Sequence, residues 1–201
     1  MKKLFYFVIA GIAGIIGYSI FSGNSNKEYI ESAQAVRTEK IKFLKTSSQS
    51  PFQLHDVPFE TPEYFPIDSK YRVRATLERI NTPQRVIIEN SDGSSEIYIR
   101  FAFANFKIDG QPFQLLILKP AGFGALNQYF TAFADKTSGI TTYGGGRYLD
   151  LEIGKSDHIE IDFNQAYNPY CAYAPDYSCP LPPSENILPI AIEAGEKDYK
   201  H

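Results

Sequence analysis

The residue types from which a site could be built gather in the last third of the chain. Arg147 follows Gly144, Gly145 and Gly146 and has the parity of Leu149, Leu151 and Ile153, the side expected to face inward. A guanidinium on that side needs a partner. Two readings follow. One is a structural ion pair with Asp135, Asp162 or Glu185; the other is an anion site at the mouth of a barrel, where the planar fork of Arg147 suits a carboxylate or phosphate. Tyr143, Asn164, Tyr167, Asn168, Tyr173 and Asn186 form an aromatic and amide set that either orients a small ligand or satisfies buried loop backbone. Asp162 and Glu185, with Asp135 as a further acid, are candidates for a general base of glycosidase type, although no catalytic residue is assigned.

Cys171 and Cys179 enclose seven residues of a loop rich in Pro and Tyr. In an exported domain this spacing points to a disulfide, with a stabilisation of roughly 2.5 kcal/mol from loop closure. The spacing is wrong for zinc, and only His55, His158 and His201 could complete a site, so no metal is expected. A paired-carboxylate calcium site would need a D-x-D-x-D-G loop that the sequence lacks. No G-x-S-x-G elbow, H-E-x-x-H or S-x-x-K occurs, and the three glycines are not followed by Lys-Ser/Thr, so serine-hydrolase, zincin and nucleotide-loop readings have no foothold and no cofactor is expected.

These residues must be positioned by a mainly β framework. The chain has 201 residues, with 14 Tyr and 15 Phe but no Trp, a ring content that suits pleated packing surfaces. Tyr71, Val73, Ala75 and Leu77 alternate with polar residues, and Asp92-Gly93 and Asp109-Gly110 mark hairpin turns. Strands are predicted over 71–80, 84–90, 95–108, 111–119, 128–134, 147–153, 158–163 and 187–194. They read as an antiparallel meander closing into a barrel or a strongly curved sandwich. If 147–153 and 158–163 form a hairpin, Asp150 faces Asp162 and Glu152 faces Glu160. Like charges across a pair are unfavourable, and solvent, a cation, or Arg72 and Arg74 on a neighbouring strand would have to offset them.

The N-terminal part divides differently. Residues 4–21 are apolar and uncharged, with Lys2 and Lys3 before them. At helical rise they cover roughly 27 Å, the reading being a retained anchor rather than a cleaved signal. Residues 1–24 are therefore expected to tether an extracytoplasmic domain, 25–201, to the cell membrane with its N-terminus inside. Without the two lysines the domain carries 18 basic and 23 acidic residues, a balance of −5 that offers no footprint for nucleic acid. Over 27–45, Tyr29, Ala33, Val36 and Lys40 or Ile41 have helical spacing and predict one amphipathic helix. The four-proline stretch beyond it carries Phe52, Leu54, Phe59, Tyr64 and Phe65, which need burial.

Three strings, FADKTSGITTYGGGRYLDL at 133–151, IDFNQAYNPYCAYAPDYSCPLPPSEN at 161–186 and LPIAIEAGEK at 188–197, with YFPIDSKYRVRATLE at 64–78, resemble the bacterial and archaeal family known as domain of unknown function 1684. The resemblance runs over most of the chain from about residue 28 and singles out the residues named above. It implies no activity, because the family has none assigned. The sequence thus points to a small-molecule or anion binding module, with a hydrolase using Asp162 or Glu185 as the alternative.

Overall fold

The computed structural model describes residues 25–121, 128–174 and 176–199. The apolar run 4–21, expected from the sequence to be an anchor, lies outside them. Among the described residues no helix is long and apolar enough to cross a membrane.

Helix α1, residues 25–46, buries Tyr29, Ala33, Arg37 and Leu44. The spacing is the predicted one, but the third member of the stripe is Arg37 rather than Val36, which is 56% exposed. The charge is accommodated because Arg37 donates to the carbonyl oxygens of Asn164 and Phe65 and stacks on the Tyr64 ring. A short helix α2, Pro51–Leu54, follows, capped by the Ser50 side chain. Phe52 is buried there, whereas Leu54 is exposed, contrary to expectation.

Six antiparallel strands form one curled, half-barrel sheet: β1 (Arg72–Glu89), β2 (Ser95–Ile108), β3 (Gln111–Pro120), β4 (Tyr129–Phe133), β5 (Arg147–Leu151) and β6 (His158–Asp162). Two predicted strands, 71–80 and 84–90, are one long β1. Its irregularity falls where Arg79 pairs with Ala102 and Gln84 with Arg100, so residues 80–83 oppose Phe101 alone. Pro83, which has no N–H to give, lies in this bulge. Asp109 and Gly110 both have positive φ, the backbone of a type I′ hairpin, and join β2 to β3.

The sheet order is β5-β4-β3-β2-β1-β6, so β5 and β6 are opposite edges and do not pair. The hairpin considered between them does not form, and the sheet curls into a half-barrel instead of closing into a barrel. The reason is electrostatic as well as topological: β6 lies against β1, where Asp162 faces Arg72 and Glu160 faces Arg74, and Arg72 Nε meets Glu160 Oε2 at 2.8 Å. The like-charge pairs never form.

The open side of the sheet is filled by the C-terminal segment. Leu188, Ile192 and Ala194 enter the main core beside Phe163, Ala166, Leu149 and Ile161. Their alternation suggested a strand over 187–194, but the backbone there is irregular. Much of its hydrogen bonding comes from side chains, as described next.

Candidate functional site

Arg147 opens β5 and is completely buried. Its Nη2 lies 2.8 Å from Asp135 Oδ2 and 3.0 Å from the Ile192 carbonyl oxygen, while Nη1 donates to the carbonyl oxygens of Ala194 and Glu196. Burial pushes the guanidinium's pKa down and Asp135 opposes that shift. Asp135 also accepts from the Thr137 N–H and hydroxyl and from the Ile192 N–H. The pair therefore fastens the C-terminal segment to the sheet. Gly146 makes this approach possible: its φ is +85°, and a Cβ there would stand 2.5 Å from Pro182 Cγ and 2.7 Å from the Phe133 carbonyl oxygen.

The three asparagines are also wholly buried and engaged with their own chain. Asn186 accepts from the Leu116 N–H at 2.6 Å and donates to Leu116 O, Thr131 Oγ1 and Ala132 O. It thus bridges β3 and β4, whose ladder is a single pair, Leu118 with Phe130. Asn164 binds Asp68 through both ends of its amide and donates to the Tyr29 hydroxyl and Asp162. Asn168 donates from backbone and side chain to the buried carboxylate of Glu196, to which Tyr173 also donates. Burial raises the Glu196 pKa. Of the candidate bases, Asp162 receives the Tyr29 hydroxyl at 2.9 Å and caps the turn at Asn164. Glu185 is held by Arg100 at 2.6 Å, which keeps its carboxyl pKa low. Asp162 and Glu185 share no partner among the described residues.

A different set of side chains surrounds open space. Between α1, the outward face of β5 and the segment 167–180 lies a cleft of about 510 Å³. Phe43 and Leu44 of α1, Tyr148 of β5, and Tyr167, Tyr170 and Tyr177 supply its apolar walls. Its charged groups are Lys40 and Asp150, and Ser178 adds a hydroxyl. Lys40 Nζ sits 3.3 Å from the centre of the Tyr167 ring. Burial lowers the ammonium to about 8, with Glu196 and Asp150 opposing the fall. No ion pair or hydrogen bond engages Lys40 among the described residues. The Tyr167 hydroxyl donates to Asp150 Oδ2 at 3.0 Å, and burial followed by the Asp150 charge raises its pKa. Asp150 and Tyr167 also line two adjoining depressions, of about 510 and 250 Å³.

Residues 58–197 match the family described as Protein of unknown function (DUF1684). The chain belongs to this family. The solution NMR structure of an uncharacterized protein from Haloarcula marismortui is 38% identical, covers 89% of this chain and 99% of its own, and superposes with a TM-score of 0.67. No curated protein of described function matches.

Of the candidate site residues named from the sequence, Tyr167 and Cys179 line the cleft. Arg147, Asn164, Asn168 and Asn186 instead bond mainly to backbone, carboxylate and hydroxyl partners of their own chain, with only Arg147 Nε and Asn168 Oδ1 among their side-chain atoms left without a partner in the described residues. Tyr143 is half-buried, its hydroxyl 3.6 Å from Cys171 Sγ. The disulfide expected between Cys171 and Cys179 is absent: both are free thiols, the Cys179 sulfur accepting the Cys171 N–H at 3.2 Å. Among the described residues no group of three or more His, Cys, Asp or Glu is placed to hold a metal. Lys40, Tyr148 and Asp150 were missed as site residues. Two signals existed, a lysine within the apolar stripe of α1 and the outward parity of Tyr148 and Asp150 on β5. What sequence spacing lacks is the long-range packing of α1 against β5.

Proposed function

We propose that this DUF1684 protein is a binding module, tethered to the membrane by residues 4–21 with its domain outside the cytoplasm, and that the tyrosine-walled cleft takes a small, flat ligand bearing an anionic group. The observation that carries this reading is Lys40: a half-buried ammonium without an ion pair, held over Tyr167 in a space of ligand size. Its three N–H donors suit a carboxylate or phosphate. The aromatic walls suit an unsaturated ring, which stacks on or abuts tyrosine. The anion reading therefore moves from Arg147, whose two terminal nitrogens are both engaged internally, to Lys40. The Tyr167 hydroxyl, bonded to Asp150, adds a polar contact in the same cleft. The hydrolase reading gains no support, since the Asp162 and Glu185 carboxylates are occupied by Tyr29, Asn164 and Arg100.

Calorimetric titration with benzoate, against benzyl alcohol as the uncharged control, tests the reading. Benzoate should bind and the alcohol should not. Loss of a charge-assisted bond is worth about 1.5–3 kcal/mol, so Lys40→Met should weaken benzoate by roughly 10- to 100-fold while leaving the melting temperature near wild type. Equal binding of both probes, or undiminished benzoate binding by the variant, would remove Lys40 from the site.

A further inference from the structure

Cys171 and Cys179 lie at and beside that cleft, and their surroundings are asymmetric. Cys171, in the turn Tyr170–Ala172, is half-buried, whereas Cys179 is buried and lies in the wall of the cleft. The Tyr143 hydroxyl points at Cys171 Sγ from one side, and the Cys179 sulfur takes the Cys171 N–H from the other. Ser91 accepts the Cys179 N–H at 3.2 Å, fixing the second cysteine against the β1–β2 turn.

We propose that Cys171 and Cys179 form a thiol–disulfide exchange centre whose substrate is a low-molecular-weight disulfide, with Cys171 the attacking thiolate and Cys179 the resolving thiol. Geometry assigns the roles: the more accessible sulfur, stabilised by donors, attacks, and the buried neighbour resolves. The hydrogen bond from Cys179 is the largest influence lowering the pKa of the Cys171 thiol, with Tyr143 and Ser91 adding to it and burial opposing. The same contact raises the Cys179 pKa. The titratable groups facing the pair are Tyr98, Tyr143, Tyr148 and Tyr177, all tyrosines with raised pKa values.

The chemistry balances. The Cys171 thiolate attacks one sulfur of RSSR, the R–S–S–R bond breaks, and RS⁻ leaves to take a proton from water. Cys171, now in a mixed disulfide, is no longer an anion, so the influence that kept the proton on Cys179 is gone. Cys179 releases that proton, attacks Cys171 Sγ and expels the second RS⁻. Two protein thiols are oxidised to one disulfide, and one external disulfide is reduced to two thiols.

The test uses the reduced full chain with oxidised glutathione, followed by mass spectrometry and by rate against pH. Wild type should end with the internal disulfide and with two glutathione thiols released for each one consumed as disulfide. Cys179→Ser should stop at a mixed disulfide on Cys171, and Cys171→Ser should scarcely react. The rate should inflect below the ordinary thiol value of about 8.5, with Tyr143→Phe moving the inflection up and Cys179→Ala moving it further. Should a variant misfold, acid quenching of wild type early in the reaction followed by peptide mapping locates the first adduct. An adduct on Cys179, a rate rising only near the ordinary thiol value of about 8.5, or failure to form the internal disulfide would each overturn the proposal.

Discussion

Replacing Arg147 with methionine asks whether the conspicuous arginine of the glycine-rich string holds the fold or holds a ligand. The variant removes the counter-ion of Asp135, both groups being fully buried, and leaves the carbonyl oxygens of Ile192, Ala194 and Glu196 without the donor they share. Removing one partner of a buried pair costs about 3–5 kcal/mol. Against a typical stability of about 5–15 kcal/mol that is a large fraction, and it corresponds to a fall in melting temperature of roughly 6–20 °C. Denaturant unfolding gives the magnitude and amide hydrogen exchange gives the place, with protection lost first over 188–199. Combining Arg147→Met with Asp135→Asn should cost less than the sum of the two, since each single change strands the other's group. The reasoning fails if Arg147→Met costs under about 1 kcal/mol, or if 188–199 exchanges as in wild type while benzoate binding is abolished.

Three further outcomes follow from the same contacts. Gly146→Ala places a Cβ against Pro182 and the Phe133 carbonyl at φ +85°, and should lose about 1–3 kcal/mol in denaturant unfolding. Asn186→Ala orphans the buried Leu116 N–H and removes the donor to Ala132 O; at about 1–3 kcal/mol per stranded group it should cost roughly 2–6 kcal/mol, with the loss of protection centred on β3 and β4. Lys40, facing Tyr167, Asp150 and Glu196, has a folded-state pKa of about 8, below its ordinary value. The unfolded chain therefore binds more protons between about 8 and 10.4, so the Lys40 contribution to stability rises with pH across that window. Benzoate affinity should move the other way, declining as pH rises through about 8 because the ammonium is lost.

Local chemistry was the legible part of the fold. The spacing of Tyr29 and Ala33 announced α1, and Asp109-Gly110 announced the β2–β3 turn, because each rests on neighbours in sequence. Pairing was less legible: Arg147–Leu151 and His158–Asp162 have matching parity and a short connection, which imitates a hairpin. The evidence against it was in the charges, since Glu160 and Asp162 match Arg74 and Arg72 of β1 and repel the acids of β5. The alternation of Leu188, Ile190, Ile192 and Ala194 misled in another way. It records a segment with an inward face, but Arg147 and Asp135 supply side-chain bonds in place of a strand partner. The chemically prominent residues proved to be the ones needed where the backbone lacks partners, while the cleft is walled by tyrosines that look ordinary in sequence.

The most direct test is to map the amide shifts of the labelled protein during titration with benzoate. Binding in the cleft predicts saturable shifts over 40–44, 148–150, 167–170 and 177–180, the stretches that carry its lining residues, with 192–196 unmoved. Shifts centred on Asp135, Arg147 and 192–196, or none at any concentration that saturates a specific site, would contradict the account.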